Sequence, residues 1–186
     1  MTAHLRLLIC LMLSLPLIVV AADDAPRLMP SKDGSELVDA TAKLAWSRCV
    51  EGMQWNGSRC TGQARLATHA EALTLARTRS SAGGRTWRVP RVVELKRMAE
   101  RVAHGGDAAR LLPAAPAGLY WTSTARIESE AVNLNSYRSV ERGVTERQVD
   151  RLAVQQGWAV ELPGGAPRDV PKREKLPVRL VRSLEP

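Results

Sequence analysis

The chain has no phenylalanine, and its aromatic residues are only two tyrosines and five tryptophans among 186 residues. The bulk of any core must therefore come largely from the indoles at positions 46, 55, 87, 121 and 158. Histidine is equally scarce, with His4, His69 and His104. Neither His69 nor His104 stands at ligand spacing from a cysteine, so a zinc site is not expected. Neither has the elbow-like surroundings that a serine nucleophile needs, and both read as ordinary surface residues. No stretch is dense in Asp and Asn, so calcium has no cluster of oxygen ligands. After residue 22, no run is apolar enough to cross a membrane, which takes about 20 residues. The sequence thus offers no catalytic residue, no metal site and no cofactor, and the expectation is a chain that is not an enzyme.

Acidic residues are also in short supply. Asp and Glu number 19 against 27 Lys and Arg, for a net charge of +8. Such an excess favours anionic partners. One long apolar run exists, Leu7 to Val20, preceded by Arg6 and followed by Val20-Ala21-Ala22. Charge, apolar run and small residues in that order read as a secretory signal peptide over residues 1–22. Its removal leaves no transmembrane segment, and the expected location is periplasmic or secreted. Export makes nucleic acid an unexpected partner.

Cysteine has three positions, and Cys10 leaves with the signal peptide. Cys49 and Cys60 remain, and in an oxidising compartment they read as a disulfide. Residues 23–36 are polar with two prolines and read as a linker. Leu37-Val38 and Leu44-Ala45-Trp46 then look strand-like. Asn56-Gly57 marks a hairpin turn, so the disulfide either staples the base of that hairpin or ties it to the preceding strand.

A helix is expected after Thr68. Thr68 and Glu71 form a capping-box pattern, Leu66, Ala70, Leu73 and Ala76 make an apolar stripe, and Gly83-Gly84 ends it. A second helix spans about Arg91 to Ala103, with Val92, Leu95, Ala99 and Val102 on one face. Residues 113–118 are a Pro/Ala loop. Residues 131–137 read as a strand, and Thr145 to Gln156 as a short helix. Trp158–Leu162 and Val178–Arg182 read as strands, the last with Val178 and Leu180 inward and its arginines outward.

Four segments stand out together: Leu44–Gly62 with both cysteines, Trp87-Arg88-Val89-Pro90 with Glu94-Leu95, Tyr120-Trp121-Thr122-Ser123-Thr124, and Trp158–Gly164 with Pro177–Arg182. In this order they resemble the Lcl C-terminal domain family, a bacterial family named after a collagen-like adhesin. The resemblance implies an α+β single domain over residues 37–184. It would be C-type-lectin-like, related to formylglycine-generating-enzyme folds, with two helices and a twisted antiparallel sheet. It also implies attachment to sulfated polysaccharide. Two departures are visible. Arg91 replaces the Thr that usually caps the second helix. Residues 125–156 form an insertion between the third and fourth motifs.

The candidate ligand-binding residues are Arg85, Arg88, Arg91, Arg97 and Arg101, whose planar forks suit sulfate and carboxylate, and Trp55, near the hairpin tip. Arg88 has a competing role as the partner of a buried acid. A second basic cluster lies at Arg168, Lys172, Arg173 and Lys175. The expected function is an exported, non-catalytic binding module for an anionic polysaccharide or other cell-surface polymer. The alternative partner is a periplasmic or secreted protein, with the module acting as an inhibitor or immunity protein against a secreted hydrolase. The insertion motivates that alternative.

Overall fold

Two short strands, β2 (Glu36–Asp39) and β3 (Leu44–Ser47), anchor the fold. Leu37 sits opposite Trp46, and Trp46 sits opposite Val181 of β11 (Val181–Ser183). These three side chains, each at most 1 % exposed, enter one core. The structure, a computed structural model, describes residues 28–104, 108–131, 141 and 148–184. The signal-peptide reading and the strand expected beyond Ala131 lie outside these residues.

The first departure from the sequence reading is at residues 28–36. They are not a free linker: β1 (Met29–Pro30) pairs with β2, and Leu28 is buried. The antiparallel sheet runs β1-β2-β3-β11. After β3 come β4 (Met53–Trp55) and β5 (Cys60–Gly62), joined by a turn in which the Asn56 side-chain oxygen accepts from the amides of Ser58 and Arg59. Cys60 bonds to Cys49, so the disulfide ties the hairpin to the exit of β3. Gly52 is obligatory there. Its φ is +90°, and a Cβ would sit 2.5 Å from the Arg65 nitrogen and the Gln63 oxygen.

β6 (Leu66–Ala67) leads into α1 (His69–Gly83). The capping box forms as read, with Thr68 and Glu71 exchanging bonds, and Gly84 closes the helix at φ 64°. The buried stripe differs: Ala72 and Ala76 are buried, whereas Ala70 is exposed and Leu66 is 52 % exposed. α2 (Val92–His104) buries Leu95, Met98, Ala99 and Val102. A four-residue helix, α3 (Ala108–Leu111), forms where the sequence reading placed none.

The start of α2 resolves the missing cap. The Arg91 amide donates to the Glu94 carboxylate at 2.7 Å, and the Val92 amide donates to the Thr124 hydroxyl at 3.0 Å. The capping oxygen therefore comes from 32 residues downstream.

β7 (Gly118–Ala131) and β8 (Gln148–Leu162) form a long antiparallel ribbon. The helix read over Thr145–Gln156 is thus corrected: its described part, from Gln148, is strand. Cross-strand pairing from Ile127↔Leu152 to Ala131↔Gln148 outweighed a helical pattern with few apolar contacts to support it. β9 (Pro167–Pro171) extends the sheet beside Gln156–Val160, and β10 (Leu176–Pro177) pairs with β6.

Arg179 overturns the alternation read for the last segment. It is 0 % exposed, with Nη1 donating to the carbonyls of Ser47 and Arg48 at 2.7 Å each. Burial lowers its pKa from the usual guanidinium value, and the neighbouring Tyr120 opposes that shift. Only Nη1 is satisfied; Nε and Nη2 are buried with no hydrogen-bond partner among the described residues.

The disulfide closes a loop of 11 residues. Such closure restricts the unfolded chain by about 3 kcal/mol. Replacing Cys49 and Cys60 by serine should lower the urea midpoint accordingly, and reductant should then have no further effect. Equal midpoints for the oxidised parent and the serine variant would refute this.

Candidate functional site

The first arginine cluster is largely committed within the fold. Arg85 bonds Glu36 at 2.8 Å, and the same carboxylate receives Arg182 at 2.6 Å. Arg88 grips Glu94 with both prongs, at 2.7 and 2.8 Å. Burial pushes the Glu94 carboxyl up. The Arg88 bonds, the Arg91 amide and both positive charges outweigh it and hold the group below its usual range. Arg101 of α2 bonds Asp39 of β2. Within this cluster, Arg91 and Arg97 are exposed and form no ion pair among the described residues.

Trp55 is also taken. Its Nε1 donates to the Asp33 carbonyl at 2.9 Å, and the Arg48 guanidinium lies 4.3 Å from its ring centroid. Arg48 itself is buried, donating to the carbonyls of Gly34, Arg110 and Leu111. Trp87 is buried, with Arg79 at 4.5 Å and Arg182 at 5.9 Å from its ring. Trp46 and Trp121 are buried, as the absence of phenylalanine requires, and Trp158 is half-buried.

The second cluster has a different character. The turn after β9 carries Lys172, Arg173 and Lys175 to the start of α1. The Lys172 carbonyl accepts from the His69 amide at 3.0 Å, which fixes the turn against the helix. Pairing of β6 with β10 brings Arg65 to the same edge. Glu71 senses both Lys175 and Arg65: its pKa is lowered, first by its bonds to Thr68 and then by these two charges. None of Arg65, Lys172, Arg173 and Lys175 forms an ion pair among the described residues. Arg168, read with this cluster, pairs with Glu161 at 3.3 Å. The segment 172–175 was visible as a charge run. Arg65 was not, because only strand pairing brings it there.

Beneath this edge lies His69, half-buried rather than on the surface. Its Nε2 bonds the Thr122 carbonyl at 3.1 Å, which requires that nitrogen to carry the proton. Its ring meets Trp121 edge-on, with centroids 5.3 Å apart. Gly157 faces both, since a Cβ there would lie 3.2 Å from Trp121 and 3.4 Å from His69.

A separate apolar groove of about 270 Å³ runs beside α2 and α3, lined by Ala99, Val102, Leu112, Ala115, Pro116 and Leu162 among others. It offers no titratable side chain. Among the described residues, no three His, Cys, Asp or Glu side chains are placed to hold a metal ion. No helix of the described residues is long and apolar enough to cross a membrane.

The Lcl C-terminal domain family matches residues 35–182. The chain belongs to the Lcl C-terminal domain family. The match contains the disulfide, both long helices and the whole β7–β8 ribbon, so the 125–156 insertion lies inside this Lcl C-terminal domain. No curated protein matches the chain.

Burial lowers the His69 pKa, the Thr122 bond opposes that shift, and the Lys172 charge adds to it. The folded state thus binds fewer protons than the unfolded state just below the ordinary histidine value of 6.5. Stability should therefore be full above that value and fall as pH drops through it. Urea titrations between about pH 7.5 and 5 should show the loss, with a shallower slope in H69Q. A slope unchanged by H69Q would assign the pH dependence to other groups.

Proposed function

We propose that this domain is an exported, non-catalytic module that binds an anionic polysaccharide or similar cell-surface polymer. The supporting observation is the set of four cations, Arg65, Lys172, Arg173 and Lys175, at the start of α1 without ion pairs among the described residues. The proposed ligand contact moves from the Arg85–Arg101 cluster, where Arg85, Arg88 and Arg101 already hold Glu36, Glu94 and Asp39. Arg91 and Arg97 remain as a secondary positive surface on α2. A repeating sulfate or carboxylate polymer suits such a site, because several moderate charge contacts along one chain add up.

The C-type-lectin-like scaffold belongs to the same proposal, resting on the family membership and the α+β architecture. Export is supported by the leader-like residues 1–22 and by a disulfide, which fits an oxidising compartment.

Retention on immobilised heparin, as a model sulfated polymer, should fall steeply with salt. The triple variant K172A/R173A/K175A should bind roughly tenfold more weakly. R85A should bind heparin as the parent does, while losing some stability because Glu36 keeps only Arg182 as its partner. Salt-independent retention, or equal loss in both variants, would overturn the assignment.

A further inference from the structure

The turn after β9 is tied down on both sides of its first cation. The Lys172 amide donates to the Gln155 carbonyl of β8 at 2.8 Å, and the Lys172 carbonyl accepts from the His69 amide at 3.0 Å. Arg173, Glu174 and Lys175 follow, all exposed. Directly below the turn stands His69, a side chain whose charge can change near neutral pH. The Lys172 stem and the His69 ring converge on Gly157, where a Cβ would lie 3.5 Å from Lys172 Cγ and 3.4 Å from His69 Cδ2. The missing side chain at 157 lets ring and stem share one place on β8.

The His69 ring can take up a second proton without leaving its seat. The proton on Nε2 already serves the Thr122 carbonyl, so the second one goes to Nδ1 and that bond survives. From β7, Thr122 and Trp121 bring no charge to the ring, and from β8 Gly157 brings none. From the turn, Lys172 brings a positive charge. On α1 itself, Glu71 is turned back onto the Thr68 amide and hydroxyl, at 2.7 and 2.9 Å. A protonated His69 therefore stands beside a like charge, which opposes the second proton. An anion laid along the turn offsets that opposition.

We infer that His69 is the proton-operated member of this edge: its protonated ring adds a fifth positive charge to Arg65, Lys172, Arg173 and Lys175, so the domain holds an anionic polymer more tightly in mildly acidic surroundings. This rests on the polymer-binding reading above and assigns a regulation to the same site. Proton uptake and binding are then coupled, and the coupling is equal in both directions. Acid tightens the polymer, and the polymer raises the affinity of the ring for its proton. Sulfate esters stay ionised across this range, so the change belongs to the protein. His104, exposed at the end of α2 and bonded to the Glu100 carbonyl, serves as the control.

The affinity of the full mature chain for a heparin oligosaccharide, at constant ionic strength, should rise roughly threefold between about pH 7.5 and 5. H69Q keeps a donor for the Thr122 carbonyl but takes up no proton, and it should lose this gain. H104Q should keep it. In proton NMR titrations, the bound oligosaccharide should move the His69 midpoint up by about half a pH unit, the same threefold factor seen from the other side. A gain that persists in H69Q, a parent whose affinity is flat with pH, or a His69 midpoint that the oligosaccharide leaves unmoved or lowers would each overturn the inference. Flat but salt-sensitive binding leaves the polymer-binding reading standing. Absence of binding at every pH overturns that reading and this inference with it.

Discussion

Two arginines inside the protein hold the chain where it leaves β3, and much of the fold is arranged around them. Arg179 takes the carbonyls of Ser47 and Arg48. Arg48 reaches on to the carbonyls of Gly34, Arg110 and Leu111 and stacks on Trp55. Cys49 follows directly and fastens the next hairpin. Thus the strand exit, the start of β2, the end of α3 and the β4–β5 hairpin meet around three consecutive residues. A guanidinium in a dry interior is costly unless its donors find acceptors. Backbone carbonyls supply acceptors for the Arg48 guanidinium and for Nη1 of Arg179, while Nε and Nη2 of Arg179 are buried with no hydrogen-bond partner among the described residues.

This explains how so basic a chain can keep few free arginines in its most arginine-rich stretch. Glu36 is shared by Arg85 and Arg182, and Arg182 also approaches Trp87, which Arg79 faces more closely. Arg79 in turn bonds Glu51 at 2.5 Å. The result is a connected lattice of arginines, acids and one indole running along β2, β11 and α1. Arginine suits that role because its fork holds a carboxylate and its flat face covers a ring. The positive charge left for a ligand lies mostly elsewhere, on the lysine-rich turn beside α1.

Much of this could be read from sequence where the signal was local. The Thr68–Glu71 capping box, the Asn56-Gly57 turn and the disulfide each depend on residues within a dozen positions. The apolar face of α2 was likewise plain from its spacing, although Met98 joined it and Val92 is only partly buried. What failed depended on distant partners. Arg179 sits in an alternating pattern that normally places arginine outward, and only the carbonyls 131 and 132 residues earlier draw it in. The segment Gln148–Gln156 has a passable helical rhythm, but pairing with β7 makes it strand. The arginine cluster looked available because acids at Glu36 and Asp39 are far off in sequence. Trp55 looked exposed near a hairpin tip, but Asp33 and Arg48 close over it.

The cap on α2 has a mechanical implication. The first amide of that helix is held by Thr124, which lies at the root of the outer ribbon. Load placed on the distal end of the ribbon, by whatever grips it, has a short covalent route to that hydroxyl. One hydrogen bond then joins the lever to the helix that packs against the central sheet. A shift at the ribbon's root is thereby passed to the first turn of α2 through the Thr124 hydroxyl.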